Sequence, residues 1–167
     1  TSLGLNRELI AAVQAYGGKV FHDVTNLKFA AKAAEAGVDG LIAVTYGAGG
    51  HAGLISPFAA LHEIRWIFDG TLILGGAIST GRQIAAARLM GADLVYMGTR
   101  FMATAESMAV ERQRRMILDA QAADIVYTPA VSGVPGNFLR ASLAEAGLDP
   151  DDLTPPDKLN FGTTDPK

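Results

Sequence analysis

The chain has 167 residues, enough for one domain, and its 14 Lys+Arg against 17 Asp+Glu leave a net charge of −3, which argues against a basic nucleic-acid surface or a polyanionic tail. With 49% hydrophobic and 19% charged residues it can bury a core, and with no Cys it has no disulfide, Fe–S cluster, thiolate zinc site or Cys nucleophile. No apolar run reaches the ~18 residues of a membrane span and no signal peptide opens the chain, so the expectation is a soluble, cytoplasmic protein with no membrane partner.

The sequence begins at Thr1 without Met. Thr1–Gly4 reads as a strand finishing in a turn, so the sequence is expected to be part of a longer protein. Asn6–Tyr16 carries Leu9, Ile10, Ala12 and Val13 at helical spacing, with Asn6 as cap. Lys19–Val24 follows Gly17-Gly18 and reads as a strand. Asn26 caps a helix over Leu27–Ala36, and Gly40–Val44 is the next strand. Ser56 and Pro57, a cap followed by Pro at the first helical position, open Phe58–Phe68. Thr71–Leu74 is a strand; Thr80 opens a helix over Gly81–Met90; Asp93–Met97 is a further strand. Ser107, with Glu106 beside it, caps a longer charged helix reaching about Ala122.

The strands are short and nearly all apolar, as a parallel sheet covered on both faces requires. Strand and helix alternate, which leaves an open doubly wound sheet or a (β/α)₈ barrel. Four strands and a stub make about half of a barrel, which typically takes ~250 residues. From Asp124 to Lys167 the composition changes. Most of the prolines lie here, including Pro166, with one helical segment over Asn137–Ala146. The organisation expected is residues 1–123 as the βα domain and 124–167 as a C-terminal arm, partly extended or mobile.

In parallel α/β folds chemistry collects beyond the carboxyl ends of the strands. Gly75-Gly76-Ala77-Ile78-Ser79-Thr80-Gly81 follows a strand and enters a helix, where small residues let backbone N–H groups approach an anion. Met97-Gly98-Thr99-Arg100 repeats the pattern one unit later, with Arg100 as counter-charge. The pair predicts a phosphate site. Thr45–Gly53 is the least ordinary stretch: four glycines and two alanines in nine residues allow a flat ligand to approach and aim His51 toward it. Imidazole takes or gives a proton near neutral pH. His22 and Asp23 are neighbours on a strand and must face opposite sides. His22 is expected to be structural, with Asp23 or Asn26 reaching the ligand edge. His62 is a solvated helix residue. No Ser/His/Asp arrangement is visible, and three scattered His make no metal site.

Gly49-Gly50-His51-Ala52-Gly53, Gly75–Gly81, Gly91-Ala92-Asp93 and Gly98-Thr99-Arg100-Phe101 with Glu106-Ser107, taken in order, resemble the nitronate monooxygenase family, formerly called 2-nitropropane dioxygenases, whose relatives include FMN-dependent enoyl-ACP reductases. The similarity runs over Thr1–Ala122. It implies a parallel (β/α)₈ TIM barrel, of which this chain supplies the C-terminal half plus the arm. It also implies FMN, with the flavin phosphate on backbone N–H groups of Gly76, Ala77, Gly98 and Thr99. Gly49, Gly50, Gly75 and Asp23 complete the cofactor site, and His51 faces flavin and substrate as the catalytic residue, with no metal.

The activity implied is oxidation of alkyl nitronates with O2 to a carbonyl compound and nitrite, His51 polarising or deprotonating the substrate. The alternative is NAD(P)H-dependent reduction of an enoyl thioester or similar conjugated double bond; a second is a phosphate-ligand binding module without redox chemistry. The partners implied are a small-molecule substrate and O2, with homo-oligomerisation left open. Val44–His51 stand where the family usually reads Gln-Gly-x-Glu-Ala-Gly-Gly-His, so Val44 replaces the Gln and Gly47 the Glu. Ala77 stands where Gly is usual, which a negative φ would accommodate. Asp23 stands where many members have Lys, and an acidic group there disfavours an anionic reduced flavin.

Overall fold

A computed structural model describes residues 1–2 and 4–156. Leu3, within the expected stub, and residues 157–167 of the expected arm, Pro166 included, lie outside the described residues. The chain divides into two compact units, Thr1–Gly47 with Gly53–Met97, and Ala48–Ala52 with Gly98 onward. The division therefore does not fall at residue 123: it follows Met97, and the Gly-Gly-His segment joins the second unit.

The first unit alternates helix and strand: α1 Arg7–Ala15, β1 Phe21–Val24, α2 Leu27–Glu35, β2 Gly40–Val44, α3 Pro57–Arg65, β4 Thr71–Gly75, α4 Gly81–Leu89 and β5 Leu94–Tyr96. Strand β3, Gly50–His51, belongs to the second unit. Three of the helices start where the sequence places a cap. Asn6 Oδ1 accepts from Leu9 N at 3.0 Å and Asn26 Oδ1 from Phe29 N at 3.0 Å. Thr80 and Gln83 form a reciprocal capping box. Ser56 does not cap with its side chain; Pro57 at the first turn sets the start of α3, which stops at Arg65, short of Phe68.

Among the described residues the four strands form a parallel sheet in the order β1-β2-β4-β5. Because spatial order follows chain order, right-handed crossovers put every helix on one side. His22, Leu41 and Leu72 share one row of that side; Val24, Ala43, Leu74 and Val95 share the next. Ile10, Ala30, Ala33, Leu61, Ile64 and Ala87 from the helices close over them into a single core. The doubly wound alternative, with helices on both faces, is thereby excluded.

The opposite face differs from the expectation of strands buried on both sides. It carries Asp23, Ile42, Ile73 and Leu94 in one row and Val44, Gly75 and Tyr96 in the next. Leu94 is 54% and Tyr96 63% exposed. Apolar side chains on this face are what the interior of a closed barrel requires, which is why the strands read as continuously apolar.

The second unit contains β3 Gly50–His51, α5 Thr99–Met102, α6 Glu111–Asp119, a 3₁₀ turn over Ala122–Asp124, β6 Ile125–Thr128, β7 Gly136–Leu139 and α7 Arg140–Glu145. The long helix expected from Ser107 is displaced. Ser107 Oγ instead accepts from Ala109 N at 3.1 Å, making a tight turn, and α6 begins only after Val110. Glu106 and Ser107 are thus not its cap. The described part of the expected arm is ordered structure: β6 and β7 form an antiparallel hairpin, and β7 pairs on its other edge with β3. The helix expected over Asn137–Ala146 starts later, at Arg140, because Asn137–Leu139 belong to β7. Helices α6 and α7 are joined by Arg112 and Glu145 at 2.9 Å.

Candidate functional site

In the first unit the loop that follows β4 is built on the loop that follows β2. Thr45 is buried; both its amide (2.8 Å) and its hydroxyl (3.0 Å) donate to Gly75 O. Gly76 is buried with φ +156°, and a Cβ there would overlap the Thr45 hydroxyl. The glycine is therefore required by close approach as well as by its backbone angle. At Ala77 the expectation of a negative φ is overturned: its φ is +52°, the one positive value outside glycine among the described residues. The Ala77 amide also differs from its expected role, because it donates to Gly47 O at 3.1 Å. That donor holds the β2 loop and is not directed at an anion.

The amides that follow are also engaged. Gln83 Oε1 accepts from Ser79 N at 2.8 Å and Thr80 N at 2.9 Å, while Gln83 Nε2 donates to Ala77 O at 3.0 Å. Gln83 thus fixes the loop. The donors left for a phosphate are Gly76 and the Gly81 and Arg82 amides of the first turn of α4, the Gln83 amide being capped by Thr80 Oγ1.

The two strand histidine and aspartate residues separate as alternation demands. His22 is buried on the helix side, 2.6 Å from Thr1 Oγ1 through Nδ1; burial pulls its pKa down. It is structural. Asp23 lies on the opposite face, in register with Ile42 and hence with Ile73. Burial pushes its carboxyl up, against the opposing pull of the Thr1 amino group and His22. Asn26 caps α2, its Oδ1 accepting from Phe29 N. His62 is exposed on α3, its ring 4.8 Å from that of Trp66.

In the second unit the Gly-Gly-His segment is held as a strand by residues that sequence reading assigned to the arm. Gly50 and His51 pair with Asn137 and Gly136 of β7. A Cβ on Gly136 would lie 2.8 Å from Gly50 O, so only glycine lets β3 come this close. Asn137 Nδ2 donates to Ala48 O at 2.8 Å, and Tyr127 Oη donates to Ala52 O at 3.1 Å. His51 itself is exposed, and its Nε2 lies 2.9 Å from Oγ of Ser132, a buried residue in the loop between β6 and β7.

Gly49 packs against Thr99, whose hydroxyl occupies the place a Cβ at 49 would take. This brings the Gly-Gly-His segment together with Gly98-Thr99. Gly98 N-caps α5 without a side-chain bond, and α5 is a single turn, so little helix dipole supports an anion there. Thr99 and Arg100 are exposed. Gly75, Gly76, Ala77 and Asp23 belong to the first unit; Gly49, Gly50, His51, Gly98 and Thr99 belong to the second.

The hairpin residues Ser132, Gly136, Asn137 and Tyr127 were missed in the sequence. The signal was present in two short runs rich in β-formers, Ile125–Thr128 and Gly136–Leu139, flanking the Pro- and Gly-containing loop 129–135.

Comparison with known proteins bears on both units. A family profile described as nitronate monooxygenase matches residues 1–149. A nitronate monooxygenase from Paraburkholderia phytofirmans is 32% identical over 152 residues, covering 86% of this chain and 42% of that protein. A Mycobacterium tuberculosis protein named as a 5-hydroxy-7a-methyl-1-oxo-octahydro-indene-4-carboxyl-CoA dehydrogenase is 33% identical, covering 86% and 41% respectively. Among solved structures, nitroalkane oxidase from Streptomyces ansochromogenes matches with a TM-score of 0.76 at 32% identity, over 81% of this chain and 42% of that one. FabK from Thermotoga maritima matches with a TM-score of 0.77 at 33% identity, over 87% and 47%. The chain spans about two fifths of the length of the curated relatives it matches. Its parallel βα units are part of a (β/α)₈ TIM barrel. Among the described residues no helix is long and apolar enough to cross a membrane. By profile, sequence identity and fold, the chain belongs to the nitronate monooxygenase family.

Proposed function

We propose that this chain is the C-terminal half of an FMN-dependent oxidoreductase that oxidises alkyl nitronates with O2 to a carbonyl compound and nitrite. The observation that carries the reading is His51: an exposed imidazole on a two-residue strand, preceded by Gly49 and Gly50 and fixed by bonds from a separate hairpin. General acid–base work requires a group of this type held in a defined orientation.

In the first unit, the small-residue loop after β4 and the first turn of α4 support the reading of a flavin phosphate there. In the second unit, Gly98 and Thr99 form a separate small-residue turn. Gly75 and Ala77 shape the first loop and Gly49 and Gly50 the approach to His51. Asp23, on the strand face opposite the helices, takes the place of a cationic side chain. When bound, FMN supplies the electron acceptor. His51 orients the nitronate and holds or moves its proton at an imidazole nitrogen. Two nitronates and one O2 balance to two carbonyl compounds and two nitrites, with no further reductant. The small-molecule substrate and O2 are the partners of this reading.

A second reading, NAD(P)H-dependent reduction of an enoyl thioester, is favoured by Gly47. Glycine there removes a carboxylate next to the site, and relatives at similar identity include FabK and a carboxyl-CoA dehydrogenase. Anaerobic mixing of the purified full-length protein separates the two. Bleaching of bound FMN by a nitronate supports the first reading; bleaching by NADH or NADPH alone replaces it with the second. A colourless protein that takes up no FMN refutes both and leaves a phosphate-ligand binding module.

A further inference from the structure

We propose that the outward face of α3 is where two copies of this protein meet, related by a two-fold axis that passes at His62. Phe58, His62 and Trp66 follow one another at i, i+4 spacing and so form one ridge along the helix. The residues of α3 that face the core are Ala60, Leu61 and Ile64; the ridge points away from them, with Phe58 75% and Trp66 79% exposed. The rings of His62 and Trp66 lie 4.8 Å apart along it. No Lys, Arg, Asp or Glu stands at any of these positions. The patch continues onto α4. Arg65, which precedes Trp66, donates from Nε to Gly91 O at 2.8 Å, and Leu89, just before Met90 and Gly91, is 90% exposed.

The barrel itself supplies no cover for this ridge. Helix α3 connects β2 to β4, the two inner strands of the sheet, so right-handed crossovers place α2 and α4 on either side of it. Further βα units of a barrel join at the edges β1 and β5 and set their helices there, which leaves the outward face of α3 open. Register and area both select a second copy as the occupant. When two α3 helices cross antiparallel at His62, the residues four before and four after it face each other. Phe58 of one copy then meets Trp66 of the other, twice, as a two-fold contact requires, and no unpaired Lys, Arg, Asp or Glu of the ridge is buried. At ~150–250 Å² for a large aromatic side chain, the exposed parts of Phe58 and Trp66 amount to roughly 230–390 Å². With Leu89 the patch reaches the few hundred Å² that marks an interaction site. Two such patches in contact bury roughly 700–1,000 Å² in all, the size of a weak, reversible association.

The test is sedimentation velocity of the purified full-length protein across a micromolar concentration range, for wild type, Trp66→Ser and Phe58→Ser. Both side chains are largely exposed, so each variant should keep the wild-type far-UV circular dichroism. Wild type should pass from monomer to dimer as concentration rises. Each substitution acts twice in a symmetric pair and should raise the dissociation constant at least ~30-fold. Cross-linking under mild oxidation reads the register, with wild type as the blank. His62→Cys should form a disulfide-linked dimer with itself, and Phe58→Cys should link to Trp66→Cys in a mixture faster than either links to its own kind. A wild type that stays monomeric throughout overturns the proposal and leaves the ridge to a different protein or to another segment of the full-length chain. A dimer whose dissociation constant is unchanged in the folded Trp66→Ser protein also overturns it, as does one in which Phe58→Cys links only to itself.

Discussion

Ala77→Gly should stabilise the chain, the reverse of what Ala→Gly does almost everywhere else. Residue 77 sits at φ +52°, where an L-residue's Cβ crowds the following carbonyl at about 1–2 kcal/mol. Glycine removes that strain. Against it stands the added freedom of the unfolded chain, about 0.4–1 kcal/mol. Little burial is lost, because Ala77 is exposed, and the Ala77 N–H bond to Gly47 O is retained by any non-proline residue. The balance is a gain of between about 0 and 1.6 kcal/mol, centred near ~0.8 kcal/mol, or about 2–3 °C in Tm at that centre for a chain of this size. The assay is urea denaturation at constant m-value, with Ala87→Gly as control. Ala87 is fully buried within α4, and its replacement should cost at least ~1 kcal/mol in propensity alone. A loss of more than ~0.5 kcal/mol in Ala77→Gly would refute the left-handed conformation and with it the description of this loop.

Three further outcomes follow from the same geometry. Gly76→Val should destabilise by about 1–3 kcal/mol through collision with the buried Thr45 hydroxyl, and should reduce FMN per protein, read from the visible absorbance of the purified material; stoichiometric FMN would contradict the phosphate assignment. Gly136→Ala should separate β7 from Gly50 O and accelerate hydrogen exchange at the β3 amides, which mass spectrometry on peptides spanning 48–52 would detect. Acid stability should depend on Asp39 and Asp93. Gln14, then Lys19 and the Val20 amide, hold Asp39 below its unfolded value of 3.8; the Leu72 amide and then Arg65 do the same for Asp93. The unfolded chain therefore binds more protons in this range, so the stabilisation is present above about pH 3.8 and is lost as pH falls through the lower folded values. Asp39→Asn should flatten the fall of the urea midpoint between about pH 5 and pH 2.

Local signals were legible wherever the physics is local. Asn6, Asn26 and Thr80 bond within the first turn of their own helices, so the cap is written beside the helix it starts. Ser56 looked equivalent but leaves its side chain out of the cap, because Pro57 already fixes the start of the helix. The parallel strands were legible as apolar runs, and the alternation of His22 and Asp23 between faces follows from pleating alone.

What was not legible depends on distant partners. Strand β3 is two residues long and exists only because Gly136 and Asn137 pair with it. The contact between His51 and Ser132 spans 81 residues, and that between Ala48 and Asn137 spans 89. Nothing near His51 announces either. The conformation of Ala77 was misjudged for a similar reason: local propensity favours negative φ, while the bond to Gly47 O and the packing of Gly76 on Thr45 set the turn.

The most direct test of the central claim compares wild type with His51→Ala as full-length, flavin-loaded proteins under a saturating alkyl nitronate in air, measuring nitrite release against bound FMN. The account predicts equal FMN content and a fall in nitrite turnover of roughly 10²–10⁴-fold in the variant. Turnover unchanged at equal FMN content would contradict it.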